Sequence, residues 1–192
     1  MKRIIVGVSG ASGTPLALAV LKLLARFPEV EPHLVMSRGA EETMRFECGE
    51  VAGGALWDKL AVRHAIDDLA APISSGSFDA DGMIVVPCSM KTLAGIACGF
   101  SENLLLRAAD VTLKEGRPLV LAVRESPLSA IHLENMLKLS RIPNVRIMPP
   151  VLSYYQGVKT IGELEVQLAA RWLRAFGLRA EEFRPWTGAP RA

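Results

Sequence analysis

Three short stretches of this chain combine residue types suited to handling an anion. The first is Gly7-Val8-Ser9-Gly10-Ala11-Ser12-Gly13. Its glycines free the backbone for a tight turn. A helix beginning directly after such a turn points its first unpaired N–H groups at the bend, where a phosphate is the natural ligand. A plain turn in an α/β protein is the alternative. The second stretch, Cys88-Ser89-Met90-Lys91-Thr92, is small and hydroxyl-rich and again opens a helical pattern. The third is Arg124-Glu125-Ser126. A guanidinium grips a phosphate through two parallel hydrogen bonds. A neighbouring carboxyl gives a proton to a departing phosphate oxygen if its pKa is raised. A simple Arg–Glu pair is the alternative there.

Each of these stretches follows an apolar run that reads as a buried strand: Ile4 to Val8, Gly82 to Pro87, and Pro118 to Val123. Helical spacing follows the first run through Leu16, Ala19, Val20, Leu23 and Leu24. Further strands are expected at His33 to Ser37, Val62 to Ile66 and Val145 to Met148. Further helices are expected at 40–47, Asn103 to Gly116, Leu128 to Ser140 (amphipathic) and Ile161 to Phe176, with a short turn at 54–60. The stretch containing Gly49, Gly53 and Gly54 reads as irregular, and Ala71 to Phe78 as a connecting loop. The alternation predicts one α/β domain over residues 1–192, three-layered and doubly wound around a mostly parallel sheet. Residues 178–192 cannot fold alone and read as a docking tail, with Trp186 seated on a neighbour or another subunit.

A dinucleotide site would need Gly at position 8 and an acidic residue ending the second strand. Position 8 is Val, and the second strand ends at Ser37-Arg38. NAD is therefore disfavoured, and a flavin mononucleotide remains open. A net charge of +2 argues against a polybasic nucleic-acid surface. No apolar run approaches the roughly 18 residues that span a bilayer. The opening Met-Lys-Arg-Ile-Ile-Val-Gly is interrupted too early for a signal peptide, so a cytoplasmic location is expected. Cys48, Cys88 and Cys98 have no metal-ligand spacing, so no metal site is expected.

Six segments together resemble the UbiX flavin prenyltransferases, which have a flavodoxin-like fold. They are Gly7 to Gly13, Ser74 to Phe78, Val86 to Leu93, Arg107 to Val111, Leu113 to Leu121 and Ile131 to Ser140. The resemblance runs from the N-terminus to Trp186, nearly the whole chain. It implies reduced FMN and dimethylallyl phosphate as substrates, with the prenyl group joined to flavin N5 and then to C6. It also implies a homododecamer and a UbiD-type decarboxylase that receives the prenylated FMN. By the same resemblance, Gly10, Ala11, Ser12, Ser37, Ser89, Met90, Lys91, Thr92 and Arg124 contact FMN. Lys114, Glu125, Tyr155 and Arg171 grip the prenyl phosphate, with Glu125 as proton donor and Arg107 in support. Glu47 completes the pocket, Ser12 assists proton removal at ring closure, and the Trp186 ring faces the allylic cation.

The chain departs from the family pattern after the first turn. Thr14-Pro15-Leu16-Ala17 stands where a small residue followed by Tyr and Gly is usual. Two other activities share the fold. A cysteine decarboxylase would carry an Asn in the segment after the Gly82 strand, where this chain has Pro87 to Thr92. A non-catalytic flavin-binding subunit would have no need of Lys114, Glu125, Tyr155 and Arg171.

Overall fold

The computed structural model describes residues 1–49 and 54–188. The irregular segment expected around Gly53, and the tail beyond Gly188, lie outside them. Six strands form one sheet: β1 Lys2–Val8, β2 Val30–Met36, β3 Val62–His64, β4 Gly82–Cys88, β5 Leu119–Val123 and β6 Val145–Ile147. Their order is β3-β2-β1-β4-β5-β6. Every pairing is parallel, so the sheet is more regular than the mostly parallel one expected.

Alternate strand residues face opposite layers. Ile4, Val6 and Val8 pack with helices α1 (Thr14–Leu24), α2 (Arg38–Cys48), α3 (Gly54–Leu60) and α7 (Ile161–Leu173). Ile5, Met83, Val85 and Leu121 pack with α4 (Met90–Cys98), α5 (Leu104–Lys114) and α6 (Ala130–Ser140). Both faces are covered, which is why the strands read as unbroken apolar runs. The order reverses direction between β1 and β4, and a crevice opens there beyond the strand ends.

Serine, threonine and asparagine side chains start five helices. Ser37, Ser89, Asn103, Ser129 and Thr160 accept the N–H three residues on. Each such cap stabilises its helix by about 1 kcal/mol. The end of β4 is irregular. Its register against β5 shifts between Val85 and Cys88, where Pro87 has no N–H to give the ladder.

Three local expectations change. The strand expected to reach Ile66 ends at His64. The loop at 71–78 contains two 3-10 turns, Pro72–Ser74 and Gly76–Phe78. The amphipathic face expected on α6 is not buried within the protomer, because Ile131, Leu133 and Leu137 are exposed and only Leu139 is in the core. No helix among the described residues is long and apolar enough to cross a membrane.

Candidate active site

Ser9 ties the two strands that flank the crevice. Its buried hydroxyl donates to the Pro87 carbonyl at 2.8 Å and accepts the Ser89 N–H at 2.7 Å. The neighbouring strand end is held as well, since Ser37 N–H donates to Val8 O at 2.9 Å. Gly10 then passes so close to the start of α2 that a Cβ on it would lie 3.0 Å from the Gly39 carbonyl carbon. Sequence reasoning overlooked Ser9 and Gly39. A serine directly ending an apolar strand was the available signal for the first.

The N-terminus of α1 carries an anion from within the chain. The Glu47 carboxylate accepts Gly13 N–H at 2.9 Å with both oxygens, Thr14 N–H at 2.8 Å and the Thr14 hydroxyl at 2.7 Å. Pro15 has no N–H, and Leu16 N–H goes to Gly13 O at 3.0 Å. All the first donors of α1 are thereby accounted for. A phosphate on this helix end, the first reading of the turn, would have to displace Glu47. Partial burial works against the charged form of Glu47, but hydrogen bonds from Ser12, Thr14 and Gly13 outweigh it. Its pKa falls below the ordinary glutamate value, and it is ionised at neutral pH.

Open donors lie instead at the next two helix starts. In α4 the Thr92 N–H is capped by Ser89 at 3.3 Å, while the N–H groups of Met90 and Lys91 take no partner among the described residues. The Met90 side chain is buried in the core, so only its backbone serves the crevice. The Ser89 hydroxyl also donates to the Thr92 hydroxyl at 3.2 Å. In α2 the Ala40 N–H is capped by Ser37 at 3.1 Å, and Arg38 and Gly39 N–H are open among the described residues. Arg124 is exposed at the end of β5, where its N–H donates to Cys88 O at 3.0 Å. Its guanidinium makes no ion pair among the described residues. Two helix starts, serine hydroxyls and a free guanidinium form a donor set that fits a phosphate monoester such as that of FMN. Burial pushes the Cys88 thiol up to about 12, which removes it as a nucleophile.

The remaining candidates fall into separate groups. Glu125 is exposed just past β5, and its carboxylate accepts Ser126 N–H at 3.0 Å. Lys114 sits at the other edge of the sheet. Helix α5 starts beyond the end of β3, where Leu104 N–H donates to Ile66 O at 2.9 Å, and runs back to feed the start of β5. The five residues of β5 separate the two edges, a span of roughly 16 Å. Lys114 pairs with Glu115 at 3.0 Å. Arg107 pairs with Asp110 at 2.9 Å and donates to Ser74 O at 3.1 Å.

A third group, Tyr155, Arg171 and Trp186, lines one groove of about 510 Å³ with Gln167 and Phe183. The Tyr155 and Trp186 rings meet edge to face, 5.5 Å between centroids at 71°. The tail reaches this groove by docking on α7 of its own chain. Arg184 N–H donates to Gln167 Oε1 at 2.9 Å, and the Arg184 guanidinium donates to Gln156 O at 3.2 Å. Trp186 nonetheless keeps 62% of its surface exposed, so one face remains open to another molecule.

Comparison with known proteins gives this arrangement its context. The family described as Flavoprotein matches residues 1–167. A probable UbiX-like flavin prenyltransferase from Escherichia coli O157:H7 is 50% identical over 192 residues, covering 99% of this chain and 95% of that protein. A dodecameric FMN-dependent UbiX-like decarboxylase from Escherichia coli O157:H7 has a TM-score of 0.92 at 50% identity, over 97% of this chain and 100% of that one. AnUbiX (PadA1), solved with FMN and dimethylallyl pyrophosphate, has a TM-score of 0.93 at 49% identity over 98% of both chains. With its sheet order, its switch-point crevice and half its residues shared end to end with such relatives, the chain belongs to the flavoprotein family, among the UbiX-like flavin prenyltransferases.

Proposed function

We propose that this protein joins the dimethylallyl group of dimethylallyl phosphate to reduced FMN and releases prenylated FMN to a UbiD-type decarboxylase in the cytoplasm. The observation that carries the prenyl half of this reading is the groove in which Arg171 stands beside the Tyr155–Trp186 pair. A cation next to two aromatic rings suits an allylic phosphate, because one end holds the leaving anion and the other faces developing positive charge.

The flavin, when bound, supplies the nucleophilic N5 and then C6, so no protein nucleophile is required. The chain's own residues have five tasks. The Met90 and Lys91 N–H groups, with Ser37, Ser89 and Arg124, hold the FMN phosphate; Gly10, Ala11 and Thr92 shape that wall. Lys114, Arg107, Arg171 and Tyr155 hold the prenyl phosphate. Glu125 protonates the phosphate oxygen as the C–O bond breaks. Glu47, acting through Ser12, takes the proton lost on ring closure. The Trp186 face shelters the cation in between.

These tasks support a shared site. Lys114 and Glu125 lie at opposite edges of one protomer's sheet, so a pocket using both draws them from different copies. A dodecamer like that of the Escherichia coli relative supplies such copies. The exposed apolar side chains of α6 and the open face of Trp186 are suited to lie between them. Anaerobic incubation with reduced FMN and either dimethylallyl phosphate or the diphosphate tests the reaction and the donor together. A prenyl mass gain on the flavin with the monophosphate supports the reading, and no gain with either donor while FMN stays bound rejects it.

A further inference from the structure

We propose that Thr14 is a positioning residue for prenyl transfer, whose hydroxyl fixes the difference between the two oxygens of Glu47 and leaves one of them for Ser12. The inference rests on the roles given above to Glu47 and Ser12. It concerns the stretch where this chain departs from the family pattern.

The hydrogen-bond accounting carries it. Glu47 Oε2 accepts three donors: Gly13 N–H at 2.9 Å, Thr14 N–H at 2.8 Å and the Thr14 hydroxyl at 2.7 Å. Oε1 accepts Gly13 N–H alone among these, at 2.9 Å. The two backbone N–H groups by themselves favour Oε2 by two contacts to one, a small bias between the oxygens. The fully buried Thr14 hydroxyl enlarges that bias by adding a third bond to Oε2. Oε1, with a single backbone donor, keeps capacity for the Ser12 hydroxyl.

The direction of the Thr14 hydroxyl is fixed from behind. Cys48 Sγ lies 3.5 Å from Thr14 Oγ1. A threonine hydroxyl has one hydrogen and accepts with its lone pairs, whereas an ionised carboxylate only accepts. The Thr14 hydrogen therefore goes to Glu47, and the Cys48 thiol donates to Thr14. The chain of donors runs Cys48 to Thr14 to Glu47. No other charged side chain acts on Glu47 among the described residues; Ser12 and Thr14 face it from the α1 side, and Cys48 follows it on α2.

Three variants separate this role from simple packing. Thr14→Val keeps the shape and both backbone donors but removes the hydroxyl. Thr14→Ser keeps the hydroxyl, and Thr14→Ala is the reserve if Thr14→Val does not assemble. The readouts are the pH profile of prenylated-FMN formation, kcat against KM for dimethylallyl phosphate, and an isotope-edited infrared titration of Glu47 assigned with Glu47→Gln. In Thr14→Val the acid limb and the Glu47 midpoint are expected to rise together by about one pH unit. The kcat is expected to fall roughly tenfold with KM unchanged, and Thr14→Ser to restore both. An unchanged acid limb and midpoint in Thr14→Val overturn the proposal, as does failure of Thr14→Ser to rescue. If the wild-type protein forms no prenylated FMN, the proposed function fails. A midpoint that still moves with the hydroxyl then preserves the hold of Thr14 on Glu47.

Discussion

The Ser9 hydroxyl oxygen accepts the Ser89 N–H at 2.7 Å and passes its own hydrogen to Pro87 O at 2.8 Å, locking β1 to β4 where the crevice opens. Ser9→Ala leaves the Ser89 N–H unpaired and removes one of two donors from Pro87 O. We expect a loss of about 1–3 kcal/mol in unfolding free energy and weaker FMN binding. Exposed Glu29→Gln, whose side chain makes no hydrogen bond or ion pair among the described residues, should stay within about 0.5 kcal/mol of wild type. Denaturant melts with parallel flavin titrations compare the two.

The opposite placement of Lys114 and Glu125 makes a mixing experiment decisive for a shared site. Lys114→Ala and Glu125→Gln oligomers should each be nearly inactive. Unfolded together and reassembled, they should regain activity, because some pockets then receive both native residues. No recovery from verified mixed oligomers would mean that each protomer carries its own complete site.

Glu125 has a role in phosphate departure but not in flavin binding under this account. Glu125→Gln should lower the rate of prenyl transfer by about 100-fold or more while FMN affinity changes less than threefold. Equal losses in both would make Glu125 a structural residue of the β5 terminus.

A histidine pair on the edge strand β3 and its neighbour β2 gives the protein an acid-sensitive edge. His33 Nδ1 lies 3.0 Å from His64 Nε2, their rings stack, and His33 Nε2 lies 2.7 Å from Glu31. Burial lowers the His33 pKa and outweighs the opposing pull of Glu31. Burial and then His33 lower that of His64. Folded values below the ordinary histidine value of 6.5 mean that the unfolded chain binds more protons in the interval. Stability is therefore full above pH 6.5 and declines as pH falls toward the folded values. Thermal melts from pH 7.5 to 5 should show this decline, and His64→Gln should flatten it. An identical slope in the variant contradicts the assignment.

Much of this arrangement was legible because it is local in sequence. The apolar runs gave the strands, and the hydroxyl-rich turn at Ser89 opens a helix as its composition implied. The missing glycine at Val8 and the polar Ser37 correctly turned the site away from a dinucleotide. What escaped is non-local. Glu47 reaches α1 across 34 residues, and no periodicity in the solvated face of α2 announces that contact. Thr14 read as a departure from a pattern, although its hydroxyl is the shortest of the Glu47 contacts. Ser9 lay inside a run of small residues whose individual partners only the sheet order reveals. The exposure of Ile131 and Leu137 reflects a helix whose apolar side is only partly covered by the described residues of its own chain.

The central claim is that this chain changes the flavin it binds. Its most direct measurement is the mass of the flavin recovered after anaerobic incubation of the protein with reduced FMN and dimethylallyl phosphate. The account predicts FMN carrying one added prenyl group, formed with turnover by wild type and barely by Glu125→Gln. Recovery of unmodified FMN from protein that demonstrably holds it would contradict the account.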